Sequence, residues 1–211
     1  MLEIEYKGGN GVIIATKQTT AVVDPKLSLI GLKDLDVKNS VEITTEPRFK
    51  IENENARLVI ESPGDYEVGD FSVSGTSATR HIDAEGDEKI ATIYRIEVND
   101  VRIALLGNIA AKLTDEQLEA IGVVDIVILP IGGGGYTLDA TNAVVLARQI
   151  DPKVVIPVHY ADTDITYEVP QDSLDSFTKE LGVEVEKVVK YKLKSAAALP
   201  SALTIVEIAR S

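Results

Sequence analysis

The chain has 211 residues, 45% apolar and 26% charged, enough for one domain with a full hydrophobic core. Its 34 acids against 21 Lys and Arg give a formal charge of −13, which argues against nucleic acid and anionic membranes as partners, since both require clustered cations. Zero cysteines exclude disulfides, thiolate metal sites and a cysteine nucleophile; with no membrane-length apolar run and no charged-then-apolar leader, a cytoplasmic acidic protein is expected.

The first half reads as strands. Leu2–Tyr6, Val12–Thr16 and Thr20–Val23 are β-branched runs, and Asp24-Pro25 ends the third, because proline cannot donate to a ladder. Val41–Thr45 and Arg57–Glu61 follow, then the turn-rich Ser62–Asp70 and a strand at Phe71–Ser74. Ile90–Val98 and Val101–Leu106 flank Asn99-Asp100, a hairpin signal.

In the second half helices and strands alternate. Thr114 and Gln117 have capping-box spacing, predicting a helix over Asp115–Ile121 closed by Gly122. Val124–Leu129 and Val154–Val158 read as buried strands, and Asp139–Ile150 has helical apolar spacing. Pro170 suits the first turn of a helix reaching Leu181, with Gly182 as its stop. Val183–Val189 and Leu203–Ile208 are the last strands, and Lys187, Lys190, Lys192 and Lys194 mark a solvated face. No low-complexity linker divides the chain, so residues 1–211 read as a single domain of sheets with helices packed outside them.

Few residues offer chemistry. The turn Pro130–Tyr136, with Gly132, Gly133, Gly134 and Gly135, has free amides that suit a phosphate but equally suits a tight strand-to-helix crossing. His159 ends a buried strand, where open α/β proteins place ligands, although a hydrogen-bonded structural histidine fits the same pattern. The other histidine, His81, lies in a polar stretch and reads as a surface loop residue. Ser74, Ser77 or Thr79 would serve as nucleophiles only with a histidine and an acid, and no G-x-S-x-G elbow is present. Neither HExxH nor HxH occurs.

Several segments, in order, resemble the metallo-β-lactamase superfamily, and within it the small bacterial and archaeal branch similar to the ascorbate-6-phosphate lactonases. They are Gly9-Asn10-Gly11, Val23-Asp24-Pro25, Ala104–Asn108, Val124–Gly133 with Tyr136-Thr137-Leu138, and Lys153–Tyr160 with its closing histidine. The resemblance runs to about residue 160 and implies a four-layer αββα sandwich and a Zn- or Mn-dependent hydrolase. After the strand Val41–Thr45, however, the family's H-x-H-x-D-H is replaced by Thr44-Thr45-Glu46-Pro47-Arg48-Phe49-Lys50, and its bridging aspartate falls on Asn108. His81 and His159 would then serve different metals of the pair, while Arg48 and Lys50, if turned inward, would add positive charge where cations belong.

Three readings follow. The preferred one is a pseudoenzyme with a degenerate metal site and no cofactor, binding a small anionic molecule or a protein partner through Asn10, Arg48, Asn108, Gly132–Gly135 and His159. The second is a hydrolase of phosphoesters or lactones using one Zn or Mn held by His81, His159 and Asp24 or Asp83. In the third, a structural or assembly protein, the cleft is plugged by Phe49 and Ile51. A homo-oligomer is compatible with all three.

Overall fold

Leu2, Ile4 and Tyr6 alternate with Glu3, Glu5 and Lys7, the period of a strand with one dry face, and the first three are buried. In the structure, a computed structural model that describes residues 1–81 and 89–211, this pattern opens a six-stranded sheet. Numbered in chain order, its strands are β1 (Leu2–Gly8), β2 (Gly11–Ala15), β3 (Thr20–Val23), β4 (Val41–Ile43), β5 (Leu58–Ile60) and β13 (Tyr191–Leu193), in the spatial order β13-β1-β2-β3-β4-β5. The second sheet holds β6 (Gly64–Val68), β7 (Phe71–Thr79), β8 (Ile90–Val98), β9 (Val101–Leu105), β10 (Ile126–Pro130), β11 (Val154–Val158), β12 (Glu184–Val188) and β14 (Thr204–Ile208). Their spatial order is β12-β14-β11-β10-β9-β8-β7-β6.

The sheets face each other across one core, to which the first contributes Ile4, Tyr6 and Ile14 and the second Ile96, Ile103, Ile128 and Ile156. On the far face of the eight-stranded sheet, Ala104, Val127, Leu129 and Val155 meet a second core. It is closed by Ile121 of α1 (Asp115–Ile121), Leu146 of α2 (Ala140–Ile150), and Phe177 and Leu181 of α3 (Leu174–Leu181). Burial on both faces is why β10 and β11 read as unbroken apolar runs. The two facing sheets are those of the αββα sandwich that the resemblance implies, with an α-helical layer described on one side. Its three described α-helices gather on the eight-stranded side, while two 3₁₀ turns, Leu27–Ile30 and Pro47–Phe49, belong to the loops leaving the six-stranded sheet.

Local signals account for the boundaries. Thr114 and Gln117 form the reciprocal capping box, and Asn99 and Asp100 both take positive φ, 51° and 61°, as a two-residue hairpin requires. Four elements differ from the sequence expectation. β6 lies in the segment read as turns; it is an edge strand, mostly exposed, so no apolar alternation marks it. β7 continues past Ser74 to Thr79 because β8 pairs with it along its length. β13 hides in the lysine run, where Tyr191 and Leu193 point into the core while Lys190 and Lys192 reach Glu3 on β1. α3 starts at Leu174 after Ser173, not at Pro170, and the residues before it bind elsewhere, with the Asp172 amide donating to the Gly132 carbonyl at 2.6 Å.

Since Ile96 is wholly enclosed between the sheets, Ile96→Ala is expected to cost about 2–5 kcal/mol in urea unfolding. The exposed Val145→Ala on α2 is expected to stay within about 0.5 kcal/mol.

Candidate functional site

Four chain segments turn at one end of the sandwich, and all four do so through left-handed backbone. Gly9 follows β1 (φ 54°), Asp24 follows β3 (47°), Gly107 follows β9 (62°) and His159 follows β11 (50°). Asp and His are among the side chains that tolerate this region best. Backbone bonds tie the turns together: Asp24 N–H to the Ile43 carbonyl at 2.9 Å, His159 N–H to Gly9 at 2.8 Å, and Thr92 N–H to Thr45 at 2.9 Å.

At the centre lies Glu46. Because it precedes Pro47 it is held extended (φ −140°, ψ 147°), carrying its side chain on from β4 into the interior. Pro47 then opens the 3₁₀ turn that brings Arg48 back over it. The Glu46 carboxylate, 1% exposed, forms ion pairs with Arg48 Nε at 2.9 Å and Arg80 Nε at 2.7 Å. Asn108 Nδ2 donates to its other oxygen at 2.7 Å. Arg80 reaches the site because β7 runs on to bridge the Asn108 loop: Arg80 pairs with Ile109, and His81 N–H donates to the Asn108 carbonyl at 2.8 Å. The Arg48 guanidinium lies between two rings, 4.7 Å from Phe49 and 4.5 Å from Tyr136. Burial pulls it below its ordinary pKa, with Glu46 opposing and Arg80 adding to the shift.

Beside this cluster a cleft of about 30 Å³ is lined by Arg48, Phe49, Tyr136, His159, Tyr167 and Gln171, among others, with Glu168 also on its wall. Tyr167 and Tyr136 flank the His159 ring, with centroids 4.9 Å and 6.3 Å away. His159 Nδ1 is 3.1 Å from Gln171 Oε1, and the Gln171 amide group donates to the Val169 carbonyl at 3.0 Å, which fixes which end of the amide faces the ring. The imidazole must therefore donate from Nδ1, leaving Nε2 as an unprotonated acceptor. Burial lowers the His159 pKa to about 4, so this neutral tautomer persists at neutral pH.

The remaining sequence candidates are distributed otherwise. Asn10, Asp24 and Thr45 line a separate void of about 10 Å³, close to the room one water needs. Both polar atoms of the Asn10 side chain lack a protein partner there. Asp24 accepts from the Thr45 amide at 2.7 Å and the Thr45 hydroxyl at 2.6 Å, so it braces the loop that carries Glu46. Asn108 is spent on Glu46 and does not line the cleft. Gly132, Gly133, Gly134 and Gly135 are not among the residues lining this cleft; Gly133 packs against Asp139, the residue that caps α2. That helix starts at Ala140, and its Asn142 N–H is capped by the Asp139 carboxylate.

Positions 133 to 135 all have φ between 62° and 76°, and a side chain at Gly132 would strike Gln171 and the His159 carbonyl. Of the two cations considered for the interior, Lys50 turns outward to Glu61 at 2.8 Å; the Ser74 hydroxyl donates to the exposed Asp65 at 2.7 Å. Phe49 is buried in the cleft wall, whereas Ile51 is only half-buried. Asp83 lies outside the described residues. Sequence reasoning missed Glu46, Arg80 and Gln171 as participants. Glu46-Pro47 carried a backbone signal, but nothing marked Arg80 as its partner or Gln171 as the support of His159.

Residues 3–159 match the family profile described as beta-lactamase superfamily domain. The chain belongs to the metallo-β-lactamase superfamily. A metal-dependent hydrolase of Archaeoglobus fulgidus is 25% identical over 132 residues, covering 60% of this chain and 56% of that relative's length. The fold is shared with a Thermotoga maritima protein described as a Zn-dependent hydrolase of the metallo-β-lactamase superfamily (TM-score 0.77, 20% identity, 99% of this chain and 100% of that one). Igni18, a metallo hydrolase of Ignicoccus hospitalis, is similar as well (TM-score 0.65, 15% identity, 99% and 95% coverage).

Set against a superfamily metal centre, the donors among the described residues do not fit. Among the described residues no three His, Asp or Glu side chains converge as a metal would need. Glu46 is bound by two guanidinium groups and an amide, Asp24 by Thr45, and the amide Asn108 is turned to Glu46.

Removing one partner of a buried pair strands the other charge, so Glu46→Ala is expected to lower stability by about 3 kcal/mol in urea unfolding. A loss under about 1 kcal/mol would show the cluster to be well solvated. Stability should also depend on pH in a defined way. Burial raises Asp24 to about 8, so its contribution is complete below the unfolded value of about 3.9 and is lost as pH rises towards 8. The His159 contribution has the opposite sign, complete above about 6.5 and lost as pH falls towards 4. The two oppose each other in mild acid, and only Asp24 acts between about pH 6.5 and 8. Wild-type stability should fall across that last interval and stay flat there in Asp24→Asn, as read by urea midpoints at each pH.

Proposed function

We propose that this protein is a non-hydrolytic member of the superfamily that binds a small organic anion in the Arg48–His159 cleft. The observation that carries the reading is the Glu46 ion pair. Two guanidinium groups and a carboxylate stand at the strand ends where the resemblance places metal ligands, so positive charge is supplied by the chain itself. Hydrolysis in this family depends on a metal to bring bound water to a pKa near 7, and the described side chains gathered here include no group of three metal donors. Arg48 supplies the cleft with a guanidinium, and Glu168 on the same wall disfavours a multiply charged ligand, so a monocarboxylate suits the site better than a phosphate.

A single-metal hydrolase has one observation behind it, the unprotonated Nε2 of His159, which is the atom a metal would take. It needs further donors, and Asp24 is committed to Thr45 while the His81 backbone is anchored on Asn108.

Elemental analysis of untagged protein, before and after dialysis against Zn²⁺ and Mn²⁺, separates the two. Less than about a tenth of an equivalent is expected, and a stable equivalent would overturn the non-hydrolytic reading. Arg48→Ala should weaken carboxylate binding at least tenfold, about 1.4 kcal/mol, in calorimetric titration, whereas unchanged affinity would remove Arg48 from the site.

A further inference from the structure

Resting on the binding function above, we propose that the cleft is selective for α-hydroxycarboxylates, the carboxylate meeting Arg48 and the hydroxyl donating to Nε2 of His159. The two protein groups make opposite demands. A guanidinium only donates, so Arg48 requires an acceptor. Gln171 leaves His159 with an acceptor only, so that ring requires a donor. Both line one space of about 30 Å³, room for roughly two waters, which suits two adjacent polar groups rather than a whole large molecule.

An α-hydroxy acid carries an anionic acceptor and a hydroxyl donor on neighbouring carbons. A keto acid would set its carbonyl oxygen against the Nε2 lone pair, and a plain carboxylate would leave Nε2 without a partner. Sites built to bond a hydroxyl reject ligands that lack it because a desolvated polar group is then left unpaired. Tyr136 and Tyr167 lie against the imidazole, and Gln171, itself anchored on the Val169 carbonyl, is the positioning residue that sets its polarity.

Titration of the wild-type protein with lactate, propionate and pyruvate tests this directly. Lactate is expected to bind at least tenfold more tightly than either of the others. Equal affinities for all three would overturn the hydroxyl selectivity while leaving the anion-binding function intact. Failure of all three to bind would overturn both.

Gln171→Leu should bring the lactate-to-propionate affinity ratio down to near one, and Gln171→Glu, which keeps the acceptor for Nδ1, should retain the preference. A preference that survives in Gln171→Leu would overturn the role of Gln171. Independently, two-bond ¹H–¹⁵N correlation spectra, simple to assign in a chain with two histidines, should show His159 protonated at Nδ1 at neutral pH. Protonation at Nε2 would overturn the inference even if lactate bound.

Discussion

A carboxylate taken out of water must be neutralised by its neighbours, and the whole mouth of this sandwich is arranged around that requirement at Glu46. Arg48 and Arg80 come from different sheets, one from the turn after β4 and the other from the extension of β7. Their meeting on one carboxylate therefore staples the two sheets at the end where the core opens. Asn108 joins from the loop after β9. A buried ion-pair network thereby draws side chains from several loops to one point.

The neighbouring acid behaves differently. Asp24 is buried as deeply as Glu46, but its partners are the amide and hydroxyl of Thr45, dipoles rather than charges. The two Thr45 bonds offset only part of the desolvation, so burial dominates at Asp24 and favours its protonated form. The loop between the two acids, Thr44 to Glu46, is thus held from below by a polar brace and from above by an ionic one.

Much of this was legible in the chain. Alternation in β1, the capping box of α1, the Asn99-Asp100 hairpin and the unbroken apolar runs of β10 and β11 are local consequences of side-chain period and turn chemistry. The replacement of the histidine motif by Thr44–Lys50 was equally plain, as was the amide at position 108. The pairing of Arg80 with Glu46 was not, because 34 residues separate them and only the register of β7 against its neighbours brings them together. Gln171 was invisible for a similar reason: its place depends on Asp172 docking onto Gly132, a contact between two loops with no periodicity to betray it. β6 escaped because an exposed edge strand buries too little to impose a pattern.

The four left-handed turns at Gly9, Asp24, Gly107 and His159 have a bearing beyond the side chains they carry. They shape the cavity in the main chain, before any side chain enters it, and backbone bonds such as His159 to Gly9 lock that shape. A rim built this way keeps its form when its side chains are exchanged, so histidines can give way to a glutamate and arginines without the fold losing its opening. The scaffold separates the making of a hollow from the furnishing of it, and one backbone can thereby house unrelated chemistries.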